Sequence, residues 1–209
     1  MTENRVMVSG RVTRIRRYPK GNAAVTITSK AGKIIEPVFN VNDGMWEKLR
    51  VRDRVEVIGH IETYISGKND TKTKKQVFVA DTIKKEMTLT EAYFGIKGKF
   101  YGDMYAKAYI RGIVAGFTDS NDGWVHYIIN VDGKNSRKYW IKVNQKKSEY
   151  TPIYKKGDEI CAVCGITTCE KEKDGKTLKF EDLIVTDIAK VKEEKKKAEN
   201  PTAEMEPIF

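Results

Sequence analysis

The sequence predicts an all-β chain of two tandem five-stranded barrels followed by a disordered C-terminal tail. Short segments of alternating apolar residues recur along the chain, whereas helical patterns are scarce. Glycine and aspartate landmarks also occur twice in the same order, which indicates an internal duplication. Five antiparallel strands, with a short element between the third and the fourth, are the layout of an OB barrel. A small SH3-like barrel is the competing architecture.

The first strand of each unit carries the clearest part of the repeat. A shift of 102 positions places the segment around Gly112 on the segment around Gly10, and it also places Gly123 on Gly21. Val6, Val8 and Val12 alternate on one face of the first strand, and in the second strands Tyr127 and Ile129 match Val25 and Ile27. A glycine inside a strand is expected where the strand bends sharply to serve both sheets of a barrel.

Two later motifs continue the repeat. Asp53–Gly59 matches Asp158–Gly165 with one extra residue, and the last strand, Val77–Asp81, matches Leu183–Asp187 at an offset of 106. The extra residues are therefore expected in loops. Between the third and fourth strands of the first unit, the segment 42–49 is expected to form a helical turn.

These patterns divide the chain into four parts. We expect a basic first OB domain at 1–84, a linker with one short helix at 85–104, an aromatic-rich second OB domain at 105–191 and a tail at 192–209. The tail is too polar to bury a core and is predicted to be disordered.

Charge points to a polyanionic partner. The net charge is +10, and residues 1–84 contain 17 basic and 9 acidic side chains, so the first barrel is the electrostatic anchor. No apolar run approaches the roughly 20 residues that cross a bilayer, and the first ten residues lack the layout of a secretory signal. We expect a cytoplasmic protein without a membrane partner.

Three cysteines, Cys161, Cys164 and Cys169, lie close together in the second unit. An odd, clustered set is a poor disulfide framework. The first two have zinc-like spacing, but a fourth ligand is missing, and His60 and His126 are distant in sequence. We expect reduced structural thiols, no metal and no cofactor.

Two basic segments of the first unit are predicted to be loops that flank the ligand groove of an OB fold. One lies between strands one and two, and the other lies between strands four and five. The residues expected to bind nucleic acid there are Arg14, Arg16, Arg17, Tyr18 and Lys20 in the first loop and Tyr64, Lys72, Lys74 and Lys75 in the second.

The second unit supplies outward-facing aromatic residues. If Tyr139, Ile141 and Val143 face the core, their neighbours along the strand face solvent. An exposed tryptophan between two lysines suits a stacked base with phosphates beside it. The alternative is that both tryptophans pack in the core or at an oligomer interface. The predicted nucleic-acid-binding residues of this unit are Tyr109, Arg111, Trp124, His126, Lys138, Trp140 and Lys142.

The chain ends Ala203-Glu-Met-Glu-Pro-Ile-Phe209, with acidic residues before an apolar triplet. This end resembles the C-terminal tip of bacterial single-stranded DNA-binding proteins, in a two-barrel variety suited to a mobile element or phage. The order of the apolar triplet differs from that of the family, and fewer acidic residues precede it. The resemblance implies recruitment of replication, recombination or repair proteins through Glu204, Glu206, Pro207, Ile208 and Phe209. It also implies a homodimer that presents four barrels.

The function expected from these features is non-enzymatic binding of single-stranded DNA with little sequence preference. An RNA-binding tandem OB protein is the alternative, because stacking does not read the 2′-hydroxyl. An enzyme such as a nuclease would need clustered carboxylates, whereas the acidic residues here are scattered.

Overall fold

The computed structural model describes residues 2–19, 21–31, 33–35, 37–41, 44–67, 73–85, 105–133, 137–173 and 175–191. Within these ranges the chain forms eleven strands and no helix, so the all-β prediction is confirmed. The strands are β1 Glu3–Arg17, β2 Ala23–Ala31, β3 Lys33–Ile35, β4 Val38–Val41, β5 Arg54–Ser66, β6 Thr73–Lys85, β7 Ala106–Asp119, β8 Trp124–Asp132, β9 Lys138–Lys146, β10 Glu159–Lys173 and β11 Lys176–Lys190.

Two of the sequence-based predictions concern residues outside these ranges. Apart from Lys85, the predicted linker lies outside the described residues, as does the whole predicted tail. The described ranges contain no helix long and apolar enough to cross a membrane.

Strand pairing closes a five-stranded barrel in each half of the chain. In the first half β1 pairs with β2 and β5, β2 with β4, β4 with β6, and β6 with β5. In the second half β7 pairs with β8 and β10, β8 with β9, β9 with β11, and β11 with β10. The short β3 pairs with the end of β2. Large apolar side chains fill both barrels, including Phe39 and Ile61 in the first and Tyr127 and Ile141 in the second.

The glycine inside the first strand of each barrel lies where the backbone of the second strand comes too close for a side chain. A side chain at Gly10 would put a Cβ 2.4 Å from the carbonyl oxygen of Thr28, and one at Gly112 would lie 2.2 Å from that of Asn130. These distances are far below van der Waals contact, so the backbone of the second strand can cross the first strand only where no side chain is present.

The aspartates that precede β5 and β10 make equivalent contacts in the two halves. Asp53 accepts the N–H of Arg50 at 2.9 Å, and Asp158 accepts the N–H of Lys155 at 2.8 Å. Each carboxylate also forms an ion pair with a lysine at the end of the last strand of its barrel. Lys85 of β6 lies 3.1 Å from Asp53, and Lys190 of β11 lies 2.6 Å from Asp158. The aspartate therefore ties a turn to the closing strand of its barrel.

One part of the predicted repeat is wrong by one residue. A bulge interrupts β5 between Ile58 and Gly59, and the matching bulge interrupts β10 between Val163 and Cys164. Gly59 is therefore equivalent to Cys164. Equivalent positions in β5 and β10, and in β6 and β11, are 105 residues apart throughout. The repeat predicted from the sequence placed Gly165 on Gly59 because both are glycines, although a Cβ at Gly165 would meet nothing closer than 3.8 Å.

Of the segment 42–49, for which a helical turn was predicted, the structure describes residues 44–49, which form hydrogen-bonded turns without a continuous helix. Residues 44–48 form turns, closed by a 2.9 Å hydrogen bond from the N–H of Leu49 to the carbonyl of Trp46. Leu49 and its counterpart Tyr154 are both buried, so this segment still covers one end of each barrel.

The two barrels are joined edge to edge by β1 and β7. These strands pair antiparallel from Glu3 with Arg111 to Val8 with Ala106. The repeat maps Val6 onto Ala108, and these two residues pair with each other. An approximate two-fold axis therefore passes through the Val6–Ala108 pair and relates one barrel to the other.

Candidate nucleic-acid interface

Two long hairpins extend from the barrels, one from each half. We call residues 61–66 with 73–78 the first arm, and residues 167–173 with 176–182 the second arm. In the first arm Tyr64 pairs with Lys75 and Ile65 with Lys74. The prediction that Tyr64, Lys74 and Lys75 lie in a loop is therefore wrong. β-Branched and aromatic residues in this segment favour the extended ladder.

Each arm contacts the third strand of the opposite barrel. The side-chain oxygen of Gln76 accepts the N–H of Lys142 in β9 at 2.8 Å, and that of Glu181 accepts the N–H of Val38 in β4 at 3.0 Å. The first arm adds a bond from the N–H of Trp140 to Thr63 Oγ1 at 3.1 Å. The hydroxyl of Tyr139 also donates to Glu62 at 3.2 Å. These contacts cap strand edges that could otherwise pair with another chain.

The contact of the first arm with β9 brings predicted residues from both units together. The ammonium of Lys74 lies 4.9 Å from the centre of the Trp140 ring, a cation–π distance. Trp140 is 38% exposed, and its neighbours Lys138 and Lys142 are also exposed. The predicted alternation in this strand is confirmed, since Tyr139, Ile141 and Val143 are buried.

The outer face of β8 and β9 extends this cluster along the second barrel. Trp140 pairs with Asn130, and Trp124 lies on the same face six residues away along β8, a distance of about 20 Å at 3.3 Å per residue. Both Trp124 and His126 are half-buried. Two tryptophans and three lysines, Lys138, Lys142 and Lys146, therefore share one face of this strand pair.

His126 is held on this face by a polar network. Its Nδ1 lies 2.6 Å from Asn144 Oδ1, and the amide nitrogen of Asn144 donates to Asp182 at 2.8 Å. Because the amide oxygen can only accept, Nδ1 carries a proton, and Nε2 lies 3.4 Å from Ser120 Oγ. Ser120 also bonds to Asp122, and this bond lowers the pKa of that carboxyl.

The other basic cluster lies at the turn between β1 and β2. Arg14, Arg16 and Arg17 belong to β1, so the predicted loop begins only at Tyr18. The β1–β2 ladder reaches the Arg17–Ala23 pair, which accounts for the difference. The guanidinium of Arg16 lies 5.7 Å from the centre of the Tyr18 ring.

Sequence reasoning missed Trp46 at this cluster. Its ring lies 4.8 Å from the Arg17 guanidinium, and its Nε1 donates to the carbonyl of Gly21 at 2.8 Å. The sequence did place Trp46 in the turn-forming segment before β5. Its contact with Arg17 depends on how that segment folds over the barrel end.

Other predicted residues lie apart from these clusters. Tyr109 and Arg111 lie on β7 where it pairs with β1 and β10, and Arg111 is ion-paired with Glu159 at 2.9 Å. Tyr64 and Lys75 lie on the face of the first arm opposite Lys74, because neighbouring residues of a strand alternate. The expectations for Lys20, Lys72, Glu204, Glu206, Pro207, Ile208 and Phe209 concern residues outside the described ranges.

The described residues contain no cluster of three or more histidine, cysteine or acidic side chains suited to a metal ion. Cys164 is fully buried in the second barrel, and burial raises the pKa of its thiol to about 12. Such a thiol stays protonated and packs as a small apolar side chain.

The fold and the exposed basic and aromatic side chains together describe a two-barrel OB protein with a candidate nucleic-acid face. No protein-family model and no curated protein sequence matches this chain. Among solved structures, the wild-type single-stranded DNA binding protein from Thermus aquaticus is similar, with a TM-score of 0.61 and 14% identity, covering 91% of this chain and 94% of that one. A deletion mutant of the Thermus aquaticus protein gives a TM-score of 0.60 and 13% identity, with coverage of 92% and 96%. The chain therefore has the fold of these proteins.

Proposed function

We propose that this chain binds single-stranded DNA without strong sequence preference and has no enzymatic activity. The observation that carries the proposal is the position of Lys74 over the exposed ring of Trp140, which joins a basic arm of one barrel to an aromatic face of the other. Positive charge beside a stacking surface is the combination that single-strand binders use. The shared fold with proteins described as single-stranded DNA binding proteins supports the same function.

Binding begins with a base that stacks on Trp140. The Lys74 ammonium then moves from the ring to a phosphate, and Lys138 and Lys142, on either side of Trp140, hold the neighbouring phosphates. The exposed cation–π interaction that this movement breaks contributes only about 0.5–1 kcal/mol. Stacking contributes about 1–3 kcal/mol per base and does not discriminate between sequences, because every base has a π-face.

The first barrel contributes mainly charge. Arg14, Arg16 and Arg17 are exposed on β1, and counterions released from the phosphates that they contact favour binding at low salt. Trp46 holds the Arg17 guanidinium in place, which reduces the entropic cost of ordering the arginine on a phosphate.

Titration of tryptophan fluorescence with oligo-dT, oligo-rU and duplex DNA tests the proposal. We expect quenching and tight binding with dT, steep weakening with salt and much weaker binding to duplex. Equal or tighter binding to duplex at moderate salt would contradict single-strand binding. A clear preference for rU would favour the RNA-binding alternative.

We also propose that the C-terminal tip recruits replication or recombination proteins. The support is its chemistry, since Phe209 can fill an apolar pocket while the nearby Glu204 and Glu206 steer it towards a basic partner. Deletion of Pro207, Ile208 and Phe209 should leave DNA affinity nearly unchanged and abolish capture of a partner. If intact and truncated proteins recover the same partners from host extract, the tip has no such role. The expected homodimer stays a prediction that sedimentation equilibrium can test.

A further inference from the structure

We propose that Gln76 and Thr63 of the first barrel are positioning residues for Trp140 of the second barrel. This inference rests on the proposed function, in which Trp140 is a stacking surface. In this arrangement the first barrel determines how the second barrel presents its tryptophan to a single strand.

The edge of β9 is the reason that positioning is needed. β9 pairs with β8 along its whole length, but the described residues of its other edge pair with a strand only where Asn144 meets Ile184 of β11. The N–H groups of Trp140 and Lys142 point to that edge and donate to Thr63 and Gln76. Two side-chain bonds therefore hold the backbone on either side of Ile141, where a neighbouring strand would ordinarily do so.

The same face of the first arm carries the bonds and the cation. Thr63 and Gln76 pair across the arm, and Lys74 lies two residues from Gln76 on the same strand, so all three side chains share one face. The bonds to β9 and the contact of Lys74 with the Trp140 ring are therefore made by one ribbon. Loss of the bonds would let the ring and the ammonium move relative to each other.

The second arm offers a matched control. Glu181 bonds to Val38 as Gln76 bonds to Lys142, but the residues on either side of Val38 are Pro37 and Phe39, both buried. A substitution at Glu181 removes the equivalent bond between barrels without touching the backbone of Trp140.

The experiment compares full-length Gln76→Leu with Glu181→Leu in oligo-dT binding. A second readout is the ¹⁹F resonance of Trp140 in protein labelled with 5-fluorotryptophan, assigned with Trp140→Phe. Gln76→Leu should weaken binding by about three- to tenfold, less than loss of the ring itself, and should shift the resonance. Glu181→Leu should change neither. Gln76→Glu should restore the resonance, because its carboxylate can accept the same N–H.

Two outcomes are decisive and separate this inference from the proposed function. If Trp140→Ala weakens binding while Gln76→Leu does not, the positioning role is wrong and the proposed function stands. If Trp140→Ala has no effect, the stacking proposal fails, and an unchanged resonance in Gln76→Leu then overturns positioning as well. Should Gln76→Leu fail to fold, Thr63→Val removes the other acceptor with little change in shape and is judged by the same criteria.

Discussion

Gln76 and Glu181 occupy equivalent positions in the two arms, and each forms a hydrogen bond to the opposite barrel. Each accepts a backbone N–H from the third strand of the other barrel, at 2.8 and 3.0 Å. One acceptor is a neutral amide and the other is a carboxyl group that loses much of its hydration in the fold. Burial raises the pKa of Glu181 above its usual value of 4.5. The ionised carboxylate is therefore less favourable in the folded chain than in the unfolded one.

Glu181→Gln should stabilise the protein at neutral pH. A raised carboxyl pKa means that the folded state binds the proton more tightly, so the destabilisation is largest above the folded pKa and disappears below the unfolded value. The gain in the free energy of unfolding should be at most about 1 kcal/mol at pH 7 and absent below about pH 4. Urea denaturation between pH 3 and 8 measures it. Glu172→Gln, at an exposed glutamate of the same arm, is the control; an equal gain there would show a general charge effect instead.

Trp140→Ala should weaken binding of oligo-dT by about 1–3 kcal/mol and leave the fold intact, because the ring is partly exposed and its neighbours in β9 form the core. Fluorescence anisotropy measures the affinity, and circular dichroism measures the fold. Tyr150→Ala is the control, since Tyr150 is 91% exposed in the turn after β9. Unfolding of the Trp140 variant would mean that this ring is a core residue, and an equal weakening at Tyr150 would mean that the site lies elsewhere.

Alanine at Arg14, Arg16 and Arg17 should reduce the salt dependence of binding. The slope of log K against log salt falls by up to about 0.7 for each phosphate of a single strand that the protein no longer neutralises. Affinity measured at four or more salt concentrations gives this slope. Alanine at the exposed Lys155 and Lys156, in the turn before β10, removes similar charge at another place and should change the slope less. An unchanged slope in the arginine variant would show that this end of β1 does not contact DNA.

Arg52→Gly should stabilise the fold. Arg52 has a φ of 81°, and its counterpart in the second barrel is Gly157, with a φ of 95°. Both donate their N–H to the first strand of their own barrel, to Val12 at 2.7 Å and to Val114 at 2.9 Å. Glycine relieves the strain but raises the entropy of the unfolded chain, so the net gain should be about 0.5–1 kcal/mol. Thermal and urea denaturation measure it. Gly157→Ala should destabilise the fold by about 1 kcal/mol or more, and equal stability of all three proteins would contradict the argument.

Local patterns in the sequence were sufficient for the all-β class, for the glycines at which no side chain fits and for the alternation in β9. Gly10 and Tyr139 illustrate this, because their environments depend on their own strand and its neighbour. The contact between Lys74 and Trp140 could not be predicted, since it depends on the pairing of β1 with β7 far away in sequence. The length of the first arm was also missed, because its lysines and threonines fit a loop and an exposed ladder equally well.

The pairing of Val6 with Ala108 has a consequence for how the two halves can differ. In a dimer of identical chains, every substitution near the axis occurs twice and must suit both positions. Here the axis relates two segments of one polypeptide, so a change on one side leaves the other side as it was. Ala24 lies where the second half has His126, and Asn22 lies where it has Trp124. A single gene can thus keep the geometry of a symmetric pair while one half specialises in charge and the other in aromatic contact.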